Sequence, residues 1–266
     1  MPRRKSERFP IAAAAWLALT ALSVVACVAD GGPAGATPAV EERVTTAPTA
    51  TPFPSTDFRP VVLAADGTTL VGSYYPPATA PAPAVLLLHM TGGQKEDWAF
   101  LATRLQEAGY AVMALDLRGH GESSGTVDWT TAPDDGERAW VALATQREVD
   151  KQRTAIVGAG IGANLALAVA AAEPQVRAVA LLSPLPDDQG VPSGEAISTY
   201  GERPLLIVVS EEDPHAAESA AALAELAPAS PVLTIYQGAD HGIQMFVSQP
   251  GLTSLLLGWL GVHLRP

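Results

Sequence analysis

The sequence predicts an α/β fold, a mostly parallel sheet of about eight strands with helices on both faces. Strand-like and helix-like runs alternate from residue 60 onward, which calls for right-handed crossover connections between parallel strands. Runs such as "PAVLLLHM" (83–90) are apolar without alternation, the pattern of strands buried on both faces. With 266 residues, 48% of them hydrophobic, the chain is long enough for one sizeable core.

The elements follow in order. "PVVLAADGTTLVGSYYPP" holds two strand-like runs joined at Asp66-Gly67, a hairpin signal. After the apolar run at 83–90, "EDWAFLATRLQEAGY" places Trp98, Leu101, Leu105 and Ala108 at helical spacing, with Gly109 as a C-terminal cap. "AVMALDL" is the next strand, and "DDGERAWVALATQREV" a helix starting near an Asp cap. "RTAIVG" is a strand, "ANLALAVAAA" a helix and "VRAVALLSP" a strand. The segment Leu185–Arg203 is short and polar, so any lid is minimal or missing. "PLLIVVS", "PHAAESAAALAELA", "PVLTIYQG" and "TSLLLGWLGVHL" complete the series as strand, helix, strand and helix.

The N-terminus reads differently. Arg3, Arg4, Lys5 and Arg8 precede an apolar run from Ile11 to Ala26, too short for a comfortable membrane span and well sized for a signal sequence. The run ends "VVAC", and Cys27 is the only cysteine, so no intramolecular disulfide forms. "VVAC" resembles a bacterial lipoprotein box, which implies lipidation of Cys27 and anchoring to membrane lipid in the cell envelope, outside the cytoplasm. Residues 28–58 are rich in Pro, Thr, Ala and Gly without apolar periodicity, the composition of a tether. The expected organisation is a signal peptide over 1–26, a lipidated cysteine and tether over 27–58, and one domain over 59–266. A net charge of -12 argues against a nucleic-acid surface and sets no other partner; a monomer is expected. No set of His, Cys and carboxylates has metal-ligand spacing, and no cofactor is implied.

Five motifs carry chemistry. "LLLHMTGG" (86–93) turns a strand into a loop. "LDLRGHGES" (115–123) follows the next strand. "VGAGIGAN" (157–164) places a glycine-framed turn between strand and helix. "VVSEEDP" ends a later strand with Asp213, and "GADHG" sets His241 before the last helices. Together these resemble the alpha/beta-hydrolase superfamily, in particular its lidless dienelactone-hydrolase-like and small esterase branch, from about residue 60 to the C-terminus. The order nucleophile, acid, histidine is that of the family. The resemblance implies roles: Asp213 orients His241, His241 moves the proton, and the amides of Ile161 and of Met90 or Thr91 hold the oxyanion. Met90 stands where the family commonly has a glycine after the histidine. At the nucleophile position of G-x-S-x-G this chain has Gly160. The spacing Gly158, Gly160, Gly162 is not the Gly-x-Gly-x-x-Gly of dinucleotide sites.

Each candidate has a plainer reading. Asp213, ahead of Pro214, has the position of a helix N-cap. His241 lies in a polar loop. His89, His120 and Arg118 read as loop anchors, His215 and His263 as surface residues, and Trp98 and Trp129 as packing. Ser123, Ser124 and Thr91 are nearby hydroxyls, but none sits on an exposed elbow. The expectation is an ester-hydrolase-like site with Asp213 and His241 kept and the serine lost, a pseudoenzyme or ligand-binding protein. The alternative is an active hydrolase of small esters or amides in which His241 activates water.

Overall fold

The computed structural model describes residues 57–265. Expectations for residues 1–56, including the signal, Cys27 and most of the tether, lie outside the described residues. Among those residues no single helix is long and apolar enough to cross a membrane.

Strands β1 (Arg59–Ala65) and β2 (Thr68–Tyr75) form the expected antiparallel hairpin, turning through Asp66 and Gly67 at φ 46° and 80°. β3 (Ala82–Leu88) leads through a 3-10 turn (Lys95–Trp98) into α1 (Ala99–Glu107). Then follow β4 (Ala111–Leu115), α2 (Ala132–Ala144), β5 (Val149–Ala159), α3 (Ile161–Ala172) and β6 (Val176–Leu182). A two-residue hairpin, β7 (Asp187–Asp188) with β8 (Val191–Pro192), and α4 (Gly194–Tyr200) fill the segment where a lid would be inserted. β9 (Leu205–Ser210), α5 (Pro214–Leu226) and β10 (Val232–Tyr236) follow. A 3-10 turn (Gly242–Gln244), α6 (Met245–Ser248) and α7 (Leu252–Leu264) end the chain.

The eight-stranded sheet has the order β1-β2-β4-β3-β5-β6-β9-β10, antiparallel at β1–β2 and β2–β4 and parallel elsewhere. Alternation along β3 divides the core. Leu86 and Leu88 pack with Trp140 and Leu165 on one face, while Val85 and Leu87 pack with Trp98, Leu101 and Leu256 on the other. Register places Leu88 beside both Leu115 and Gly158, and Leu182 beside Ala159 and Val208. The carboxyl ends of the central strands therefore finish together, where ligands gather in open parallel sheets.

Two boundaries differ from the sequence expectation. α2 starts at Ala132 after Thr131, with Asp134 and Asp135 inside its first turn instead of at the cap. It also ends early: the Ala142 carbonyl accepts the Gln146 side-chain amide at 3.0 Å and the Thr145 hydroxyl at 3.3 Å, while the Gln146 N–H turns to the Leu143 carbonyl. The residues read as its last turn, from Val149, begin β5, whose expected start was Arg153.

Candidate active site

β5 ends at Ala159 and α3 begins at Ile161, so the chain reverses at Gly160 alone, with φ 53° and ψ -124°. Non-glycine residues in such conformations store about 1–3 kcal/mol of strain, which glycine avoids. The turn is tight because its flanks are bare. A Cβ on Gly158 would strike the Gly162 carbonyl, and one on Gly162 would strike the carbonyl of Leu88. At Gly160 the situation is different: a Cβ there would stand 3.1 Å from Met90 Cβ and 3.2 Å from His241 Nε2, facing into the cleft.

On the far wall, His241 Nδ1 lies 2.6 Å from Asp213 Oδ2, the two side chains being 31% and 11% exposed. An ionised carboxylate only accepts, so Nδ1 carries the proton and Nε2 is left as the acceptor facing Gly160. Asp213 also serves as the N-cap of α5, its Oδ1 receiving the Ala216 N–H at a long 3.5 Å. Asp213 therefore caps α5 with one oxygen, as read from the sequence, and meets the His241 imidazole with the other.

The oxyanion candidates divide. Ile161 supplies the first N–H of α3, and Met90 lies against Gly160. Thr91 is exposed at the following turn, which the Gly93 N–H closes on the Met90 carbonyl at 2.9 Å. Met90 does more than replace a glycine. Its Sδ would stand 3.3 Å from a Cβ on Gly242, so the thioether packs across the gap between the elbow and the histidine loop.

His89 and His120 hold loops, as read from the sequence. His89 is buried, donating from Nδ1 to the Met90 carbonyl at 2.8 Å and accepting the Leu117 N–H on Nε2 at 3.0 Å. Burial pushes its pKa below the ordinary imidazole value despite the Met90 carbonyl. His120 stacks between His89 and Trp129. His263 is half-buried, edge-on to Trp259, so it is less a surface residue than expected. Arg118 forms a bidentate pair with buried Asp135 at 2.8 and 2.7 Å. Ser123 and Ser124 accept the Val71 and Thr69 N–H groups on their hydroxyls, so both are committed to the edge of β2.

The sequence reading missed three supports. Lys95 Nζ is 2.8 Å from Asp116, 2.7 Å from Glu122 and 2.8 Å from Glu96, and Asp116 is fully buried. Burial disfavours the ammonium, yet the carboxylates outweigh it and raise the Lys95 pKa above the ordinary value. Asp116 also accepts the Lys95 and Glu122 N–H groups, so it joins the loops after β3 and β4. Buried Asn164 bonds Leu185 through both its donor and its acceptor and Val191 through its donor, pinning the lid-site segment to α3. Asp188, on that segment, has its carboxyl pKa raised by burial, with His241 opposing. A polar residue's burial was the missing signal in each case.

A groove of about 500 Å³ between Trp129, Pro133, Ala168 and Ala196 contains none of Gly160, Asp213 or His241. A recess of about 480 Å³, lined by Phe100, Ile243, Phe246 and Val247, adjoins the histidine loop.

A parallel sheet opened by a hairpin, with a strand–glycine–helix elbow facing a histidine–carboxylate pair, defines the alpha/beta-hydrolase fold. Residues 83–203 match the family model described as alpha/beta hydrolase fold. It is 34% identical over 128 residues to esterase FrsA of Yersinia pestis, covering 45% of this chain and 30% of that protein. It is 35% identical over 132 residues to the dihydrolipoyllysine-residue acetyltransferase component of the acetoin cleaving system of Cupriavidus necator, covering 48% and 34%. The chain thus spans about a third of the length of these curated relatives. Dienelactone hydrolase from Anabaena variabilis superposes with a TM-score of 0.65 at 22% identity, over 79% of this chain and 99% of that one.

Proposed function

We propose that this chain is an ester-hydrolase-like protein that keeps the acid and the base of the family site and has lost its nucleophile. The observation that carries the reading is the distance of 3.2 Å between His241 Nε2 and the point where Gly160 would bear a Cβ. A seryl hydroxyl, one bond further, would fall within reach of the imidazole acceptor. Asp213 on Nδ1 fixes the tautomer in which that acceptor is free. Ile161 and Met90 are the residues whose amides would bind the oxyanion. The matched esterase FrsA and dienelactone hydrolase support an acyl-ester ligand for the site. The apolar recess at Phe100 and Phe246, with no lid over it, suits small neutral esters or amides. The lipoprotein-like cysteine at 27 supports a tethered, extracytoplasmic location.

Hydrolysis of p-nitrophenyl acetate and butyrate by residues 57–266, beside Gly160→Ser and His241→Ala, tests the reading. The natural chain is expected to equal His241→Ala, and Gly160→Ser to gain a burst and to react with a fluorophosphonate. Turnover by the natural chain that His241→Ala abolishes would replace the reading with water activated by His241.

A further inference from the structure

We infer that two buried serines, Ser183 after β6 and Ser210 at the end of β9, are positioning residues that hold His241 in register with Gly160 and Asp213. The inference rests on the reading of the site given above.

His241 sits in a loop, where a histidine is ordinarily mobile. Here the residues on both sides of it are held. On one side the Ser210 hydroxyl donates to the Asp240 carbonyl at 2.6 Å. On the other, the Gly242 N–H donates to the Ser183 hydroxyl at 2.9 Å. Both serines are fully buried.

Each serine also reaches a second part of the site. The Ser210 carbonyl accepts the Asp213 N–H at 3.2 Å, so one residue holds the acid's backbone and the histidine's. Leu182, next to Ser183, accepts the Gly160 N–H at 2.9 Å. The dipeptide Leu182-Ser183 therefore ties the elbow to the histidine loop, while the Ser183 N–H anchors it to the Val208 carbonyl at 2.8 Å. Parallel pairing of Leu182 with Val208 supplies the rigid base.

Ser183 adopts φ 52°, one of three non-glycine residues with positive φ among those described, and the one that is buried at the site. A serine in that region carries backbone strain that glycine would avoid. Only a group that glycine lacks justifies the strain, and that group is the hydroxyl on Gly242. Asp213 then sets the direction of the imidazole, and the serines set where its backbone stands. A displacement of about 1 Å in such a group costs on the order of 100-fold in rate.

The test has two arms. In the natural chain, the tautomer and Nδ1 proton signal of 15N-labelled His241 are recorded for Ser183→Ala, Ser210→Ala and the control Ser219→Ala. Ser219 is also buried, but its hydroxyl has no partner among the described residues. The first two are expected to mix tautomers or shift the Nδ1 proton, and the control to leave both unchanged. In the Gly160→Ser background, Ser183→Ala and Ser210→Ala are expected to lower kcat by about 10- to 100-fold with KM nearly constant. Ser183→Gly removes the strain and the hydroxyl together, so it is expected to melt higher than Ser183→Ala and to be as slow. Full activity in Ser183→Gly, or an unchanged His241 signal in folded Ser183→Ala and Ser210→Ala, overturns the inference. A silent Gly160→Ser parent defeats the reading of the site instead, and the spectra still decide the role of the serines.

Discussion

The elbow and the histidine loop face each other across a gap that a Cβ on Gly160 would narrow to 3.2 Å, and they differ in what they carry. The elbow takes its shape from the strand, the reversal at Gly160 and the bare flanks at Gly158 and Gly162, and carries no side chain at its apex. The histidine loop has no regular strand or helix at His241 yet presents an imidazole paired with Asp213, and its shape is imposed from neighbouring strands. In this molecule scaffold and chemistry therefore separate. A turn shaped by packing says little about activity, whereas the Asp–His pair at 2.6 Å is partly exposed and capping of α5 accounts for only one of its oxygens.

The sharpest way to test that contrast is Asp213→Asn placed on Gly160→Ser. If the histidine loop holds working chemistry, kcat gained by the serine is expected to fall by about 10⁴-fold, as when the carboxylate of a serine triad is neutralised. Stopped-flow and steady-state assays of the single and double variants measure it. An unchanged kcat would mean that Asp213 is only a cap.

Next in size is Lys95→Met, which addresses the support beneath the oxyanion loop. It strands the fully buried Asp116 carboxylate, and a broken buried pair costs about 3–5 kcal/mol. Urea unfolding checks this, and a loss below about 1 kcal/mol would place the pair with surface ion pairs. Gly160→Ser itself is expected to cost about 1–3 kcal/mol, since serine must take φ 53° and crowd Met90 Cβ. Met90→Gly added to it is expected to return part of that loss by clearing the 3.1 Å contact.

The smallest effect concerns His89. Its pKa is lowered in the folded state by burial, so the unfolded chain binds the proton first as pH falls. The stability it contributes is whole above the unfolded value of about 6.5 and is lost as pH falls through the folded one. His89→Gln is expected to flatten the loss of stability between neutral and mildly acidic pH. A slope as steep as the natural chain's would assign it to other groups.

The fold was legible because its signals are local. Continuous apolar runs named the buried strands, and Gly-framed turns named the reversals at their ends. The meeting of Asp213 with His241 was legible from their places after strands. Where α2 stops was not, because the Gln146 side-chain amide and the Thr145 hydroxyl compete for the Ala142 carbonyl. Ser183, Ser210, Lys95 and Asn164 were invisible for a different reason: each draws its meaning from partners across the sheet, and a hydroxyl or an amide in sequence does not disclose whether it is buried.

One more consequence lies in the three glycines of the elbow. Positions 158 and 162 admit no side chain without moving backbone, while position 160 opens onto the cleft, its neighbours a methylene and an imidazole edge. The turn thus works as a socket, with fixed walls and one exchangeable fitting. Seryl, cysteinyl or aspartyl side chains inserted at 160 would each meet the same His241 nitrogen. On the proposed reading, an engineer's path to covalent chemistry at this site is one residue long.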